Sequence, residues 1–168
     1  GILENSLNLN LYSDDLIVDA DFKVYEDLDK NKSDRYEFIL PKIKLIKEIK
    51  NKTSLDGRFI LESDNLVKNY QTNIYEKINI NDLIFKSTPK ISDNGFYNNY
   101  EFILKNANSD TQNSGAYKND QSYYLGGLFQ YNSSLPLIKN TESHQNIIKP
   151  KISIKISPDH TKDKSNSF

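Results

Sequence analysis

The stretch that most restricts this chain is Ile147–Asn166, IIKPKISIKISPDHTKDKSN. Ile148, Ile152, Ile154 and Ile156 share one parity, with Pro150 at the same spacing, and Lys149, Lys151, Ser153, Lys155 and Ser157 take the other. Successive strand side chains point to opposite faces, so this pattern predicts a strand greasy on one side and wet on the other. A helix would scatter isoleucines spaced by two around its circumference. Pro158 and Asp159 end the strand and open a polar run.

Other segments repeat the plan. SLNLNLY (6–12) sets Leu7, Leu9 and Leu11 against Asn8 and Asn10, and residues 13–15 carry a turn signal. LIVDADFKVYED then opposes Val18, Ala20, Phe22 and Val24 to Asp19, Asp21, Lys23 and Tyr25, which together predicts a hairpin. Residues 28–35 form a charged loop. YEFILPKIKLIKEI (36–49) places Ile39, Ile43 and Leu45 on one parity. Helix competes for its second half, but Pro41 and the flanking alternation favour a strand with an end or bulge near the proline. After the Asp56-Gly57 turn, RFILES reads as a strand, with 65–70 as a loop. Residues 70–85 read as the next, with a bulge near Asn81-Asp82 where parity passes from Ile74, Ile78 and Ile80 to Leu83 and Phe85. Asn94-Gly95 is a turn, NYEFILKN a strand, 106–121 the longest loop, and SYYLGGLFQYN a strand joined to the opening segment by 133–146. The expected fold is all-β: an antiparallel up-and-down meander of about eight strands, with no confident helix.

Which solvent meets the apolar faces is decided by composition. Hydrophobic residues are 36% and mean hydropathy is -0.70, a thin supply for a packed core. The wet faces carry many Lys, Asp and Asn. An eight-stranded closed barrel is nearly filled by its own side chains, so these faces suit the wide lumen of a larger barrel. The chain therefore reads as an arc of a large transmembrane β-barrel and, lacking an initiator Met or a signal-peptide pattern, as a piece of something longer. Residues Val18, Ala20, Phe22, Val24, Leu125, Phe129, Ile152, Ile154 and Ile156 are expected to face lipid. Asp19, Asp21, Lys23, Lys151 and Lys155 are expected to face the lumen. Tyr12, Tyr25, Tyr36, Tyr70, Tyr100, Tyr123 and Tyr131 fall near strand ends, as interface aromatics do, although Tyr also favours strands in general.

Signals for chemistry are weak, and no enzyme, cofactor or metal site is expected. A net charge of -1 gives no reason for a nucleic-acid partner. Cysteine is absent. His144 and His160 lie in polar loops and read as solvated. Asp14/Asp15 and Asp19/Asp21 lie in a turn or on a wet face, with nothing to hold two carboxylates across a cleft. Gly126-Gly127 lacks the helix and Lys-Ser/Thr of a phosphate loop, and reads as curvature or close backbone approach. The sequons at Asn31, Asn51 and Asn132 are those expected by chance in an Asn-rich chain.

Taken in order, the segments resemble the C-terminal barrel domain of the LptD family, the lipopolysaccharide-assembly outer-membrane proteins also called organic solvent tolerance proteins. DRYEFILP (Asp34–Pro41), YQTNIYE (Tyr70–Glu76) and KPKISIKISPDHTK (Lys149–Lys162) weigh most, and the similarity covers nearly all of 1–168. The resemblance implies a partial outer-membrane barrel domain that helps deliver lipopolysaccharide to the outer leaflet. It implies as partners lipopolysaccharide, membrane lipid, an LptE-type lipoprotein plug and a periplasmic Lpt bridge reached through an N-terminal jellyroll. That jellyroll and the cysteines linking it to the barrel have no counterpart in these residues, and no lateral-gate residue is carried over. The competing expectations are a self-contained small outer-membrane barrel with a structural or adhesion role, and a soluble β-sandwich binding module.

Overall fold

The alternation is realised as strands. The computed structural model describes residues 1–32, 34–50, 54–71 and 73–158, and every regular element among them is a strand. In chain order these are β1 (Ile2–Ser13), β2 (Leu16–Asp27), β3 (Tyr36–Ile49), β4 (Gly57–Tyr70), β5 (Ile74–Ser87), β6 (Lys90–Ile91), β7 (Tyr97–Gln112), β8 (Gln121–Ser134), β9 (Leu137–Asn140), β10 (Gln145–Ile148) and β11 (Lys151–Ile156). The main sheet runs β1-β2-β3-β4-β5-β7-β8-β11, antiparallel throughout. β6 adds a short pairing to β7, while β9 and β10 form a separate hairpin.

The sheet does not close. β1 pairs only with β2 and β11 only with β8, so its two outermost strands are edges. The small self-contained barrel would need those strands paired to each other, and they are not. Nor does a second layer cover the sheet among the described residues. All twelve residues of β1 and all six of β11 are exposed, and the only buried apolar side chains among the described residues are Ile78, Ile84, Phe85 and Ala107, in the middle.

Several boundaries differ from the sequence reading, each for a physical reason. The opening strand begins at Lys151. Ile147 and Ile148 belong to β10, because Lys149 and Pro150 interrupt the pairing, and the tail from Asp159 lies outside the described residues. Residues 65–70 are not a loop: β4 runs through Tyr70 because both neighbours pair with it to the end, and β5 then starts at Ile74 rather than Tyr70. Residues 106–112 are likewise strand, completing β7, so the loop shrinks to 113–120. Both faces are polar there, which hides the alternation. The longest connection is 135–150, at the same end of the sheet as the 14–15 turn.

The register also corrects two faces. β5 pairs without interruption on both sides, so there is no bulge at Asn81-Asp82. Ile74, Ile78 and Ile80 face one way, Leu83 and Phe85 the other, and the strand is apolar on both faces. A real irregularity lies in β3, where its pairing with both neighbours shifts between Ile39 and Lys42. One extra residue there preserves the face. Phe38 opposite Val24 lies in line with Ile43 opposite Ala20, while Ile39 turns to the other side. Pro41 has no ladder hydrogen to lose at such a site.

Two glycines are required by close approach. A Cβ on Gly57 would lie 2.5 Å from the Lys86 carbonyl oxygen and 2.6 Å from the Phe85 ring, and one on Gly126 would strike the Tyr124 ring. Gly126 thus makes room for a side chain, whereas Gly127 has only ordinary contact.

Candidate functional site

Direct partners in an antiparallel ladder share a face, so the register assigns every side chain of the main sheet to one of two surfaces. One, the leucine face, carries Leu7, Leu9 and Leu11 opposite Phe22, Ala20 and Val18. Followed strand by strand, it includes Val24, Leu125, Phe129, Ile152, Ile154 and Ile156. The other, the lysine face, includes Asp19, Asp21, Lys23, Lys151 and Lys155. The nine residues expected to face lipid thus lie on one surface, and the five expected to face a lumen lie on the other.

Cross-strand ion pairs lace the lysine face: Lys105 to Asp82 at 2.7 Å, Lys68 to Glu37 at 2.8 Å and Lys23 to Glu4 at 3.4 Å. Tyr12 donates to Asp19 at 2.9 Å, and Tyr70 to Glu76 at 3.0 Å. Between these charges runs an apolar ridge of Ile60, Ile78, Ile84 and Ile103, with Ile60 opposite Ile84 and Ile84 opposite Ile103. Most of the buried side chains belong to this face, including Glu76, Ile78, Ala107 and Thr111. The lysine face is thus the more buried of the two in the middle of the sheet.

Aromatics on the leucine face concentrate near the two strand ends. At the 14–15 end the rings of Phe59, Phe85, Tyr100 and Phe129 follow one another across four strands, with centroids 4.7, 5.7 and 6.3 Å apart. At the other end stand Tyr36, Phe38 and Tyr123. From Tyr123 to Tyr131 the chain covers about 26 Å, at about 3.3 Å per strand residue.

Between the belts the central strands interrupt the apolar face with amides. Ser63 donates to Asn81 at 2.7 Å, Asn65 to Ser63 at 3.0 Å, Asn79 to Asn65, and Asn81 to Asn79 at 2.6 Å. Asn108 donates to Asn79 at 3.3 Å and to Asn106 at 2.7 Å. This ladder across β4, β5 and β7 escaped the sequence reading. Its signal was there as two Asn-x-Asn repeats, NIN (79–81) and NAN (106–108), but the first fell at a supposed bulge and the second opened a supposed loop.

The residues weighed for chemistry are scattered. His144 sits exposed in the β9–β10 turn, its Nδ1 2.9 Å from Ser143 Oγ, and His160 lies outside the described residues. No three His, Cys, Asp or Glu side chains converge as a metal site among the described residues. Asp15, in the first turn, accepts from Lys47 Nζ at 2.9 Å. That hydrogen bond, helped by the attraction of the same ammonium, holds the carboxyl below its ordinary range. A carboxyl depressed on folding stabilises above its unfolded pKa, and the contribution is lost as pH falls through the folded value. Lys47→Met should accordingly move the Asp15 titration midpoint up towards the ordinary carboxylate range, read by carboxyl-carbon NMR. An unmoved midpoint would mean that Lys47 is not the cause.

No family model matches the chain, and no curated protein matches it.

Proposed function

We propose that the chain is an arc of a large outer-membrane β-barrel, with the leucine face against lipid and the lysine face towards a hydrated lumen. One observation carries the reading: seven strands of 12–16 residues in a single-layer open sheet whose outer strands carry exposed apolar rows, Leu7, Leu9 and Leu11 and Ile152, Ile154 and Ile156, on the leucine face. Strands in globular proteins average about 5–6 residues, while a tilted strand needs about 9–11 to cross a bilayer. Backbone groups at an unpaired edge in hydrocarbon cost several kcal/mol each, so the edges at β1 and β11 call for further strands. The two aromatic belts add support.

The particular barrel is proposed from the ordered resemblance to the LptD family. On that reading the chain acts by shape: it walls a path along which lipopolysaccharide reaches the outer leaflet, with a plug lipoprotein in the lumen and a periplasmic bridge supplying the lipid. It performs no bond chemistry. The amide ladder and the isoleucine ridge on the lysine face favour a second reading, a soluble sheet that packs against a partner layer. Lipid-soluble quenchers decide between them. With single fluorophores at Leu9, Val18 or Ile152 of the chain folded into vesicles, bilayer-borne quencher should suppress emission strongly, and fluorophores at Asp21 or Lys155 should be spared. Equal quenching of both sets would rule out the lipid-facing assignment.

A further inference from the structure

The amide ladder has the chemistry of a receptor for a neutral, hydroxyl-rich ring, and we propose that it binds a pyranose. Five of its six members are asparagines, each carrying both donors and acceptors. Asn65, Asn79 and Asn81 each spend one N–H within the ladder, which leaves a second N–H on each. Asn79 donates to Asn65 of β4 and accepts from Asn108 of β7, and so ties the β4 and β7 parts together. The donors are held by neighbours instead of being free to turn, which lowers the ordering cost of binding.

Three more observations define the ligand. A groove of about 510 Å³ opens over the ladder, lined on this face by Asn65, Val67, Lys77, Asn79, Asn108 and Tyr123. Tyr123 lies directly opposite Asn108 in the β7–β8 register and is 68% exposed, a ring face beside a row of amides. An apolar plate with hydrogen-bonding groups next to it suits a sugar, which has an apolar C–H face and a hydroxyl rim. The one lysine in the groove, Lys77, faces Asp110 in register, so no net charge selects an anion.

Apolar side chains frame the patch. Leu45 and Ile43 stand opposite Ser63 and Asn65, Leu83 and Leu104 lie next along the strands, and Leu125 faces Asn106. A ring carried on an alkyl chain would find hydrocarbon contact on this frame, and a free glycan would use the amides and Tyr123 alone. The inference stands on the ladder itself and does not use the membrane reading.

Side-chain amide NMR of the full chain in an alkyl phosphocholine tests it, with maltotriose and octyl glucoside as separate probes. Saturable shifts of the Asn65, Asn79 and Asn108 amides are expected with at least one probe. Shifts with both mean that the ring suffices, and shifts with octyl glucoside alone mean that the ring is taken when lipid-borne. Tyr123→Leu should weaken binding roughly tenfold while leaving the chain folded, with shifts confined to the amides beside the lost ring, and Asn79→Leu should abolish it. No shift with either sugar overturns the proposal. So do octyl glucoside shifts that extra alkyl phosphocholine reproduces, or a Tyr123→Leu chain that binds as tightly as the original.

Discussion

Ile154→Lys should cost about 1 kcal/mol of stability in a bilayer, the size for a lysine facing lipid at the level of an aromatic belt, while Lys155→Ile should change it by under about 0.5 kcal/mol. The two residues are neighbours on β11 and differ chiefly in the face they occupy. Ile154 pairs with Tyr131 on the leucine face and is 54% exposed, and Lys155 pairs with Gln130 on the lysine face. In water the expectation reverses its emphasis, because a half-exposed isoleucine accepts lysine at little cost. Folding yield into vesicles, followed by gel mobility and urea titration, separates the cases. Equal tolerance of both substitutions would remove lipid from the leucine face.

The second large effect is internal to the sheet. Phe85→Ala should lower stability by about 3–5 kcal/mol, read as a fall in the urea midpoint with unchanged slope. Phe85 is only 4% exposed, although no second layer lies over it. Its burial comes from Phe59, Tyr100 and the bare backbone of Gly57, into whose missing side chain the ring settles. Removing the ring leaves Phe59 and Tyr100 without a common neighbour. Phe129→Ala, at the margin of the row and 38% exposed, should cost distinctly less. A similar loss at both positions would show that the row contributes by area alone.

How well the sequence foretold this fold depended on contrast between faces. Where one parity is apolar and the other charged, as in Leu16–Asp27, the strand limits follow from the letters and the structure repeats them. Contrast fails in β7 beyond Lys105, where Asn106, Asn108 and Asp110 alternate with Ala107, Ser109 and Thr111. Polar and small residues there pair as well as leucines do, yet their alternation resembles a loop. β5 fails oppositely, with apolar residues on both faces, so a change of parity mimics a bulge. The amide ladder was hidden by both ambiguities, since its members come from strands distant in sequence and carry no periodic hydrophobic mark. The two-faced plan was legible, but its polar interruption depended on register, which only the paired strands define.

The irregularity in β3 bears on how such a strand tolerates change. Tyr36 and Phe38 are written on even positions and Ile43 and Leu45 on odd ones, yet the shift between Ile39 and Lys42 delivers both groups to one surface. The strand is therefore spelled as two words in opposite phase, and the residue between them acts as the spacer that reconciles their frames. Removing one residue between Phe38 and Ile43 would set both words in one phase, and a regular ladder would then carry them on the same surface without the irregularity. Deletion at the spacer can therefore be mild, whereas a residue lost within either word puts part of that word on the wrong side.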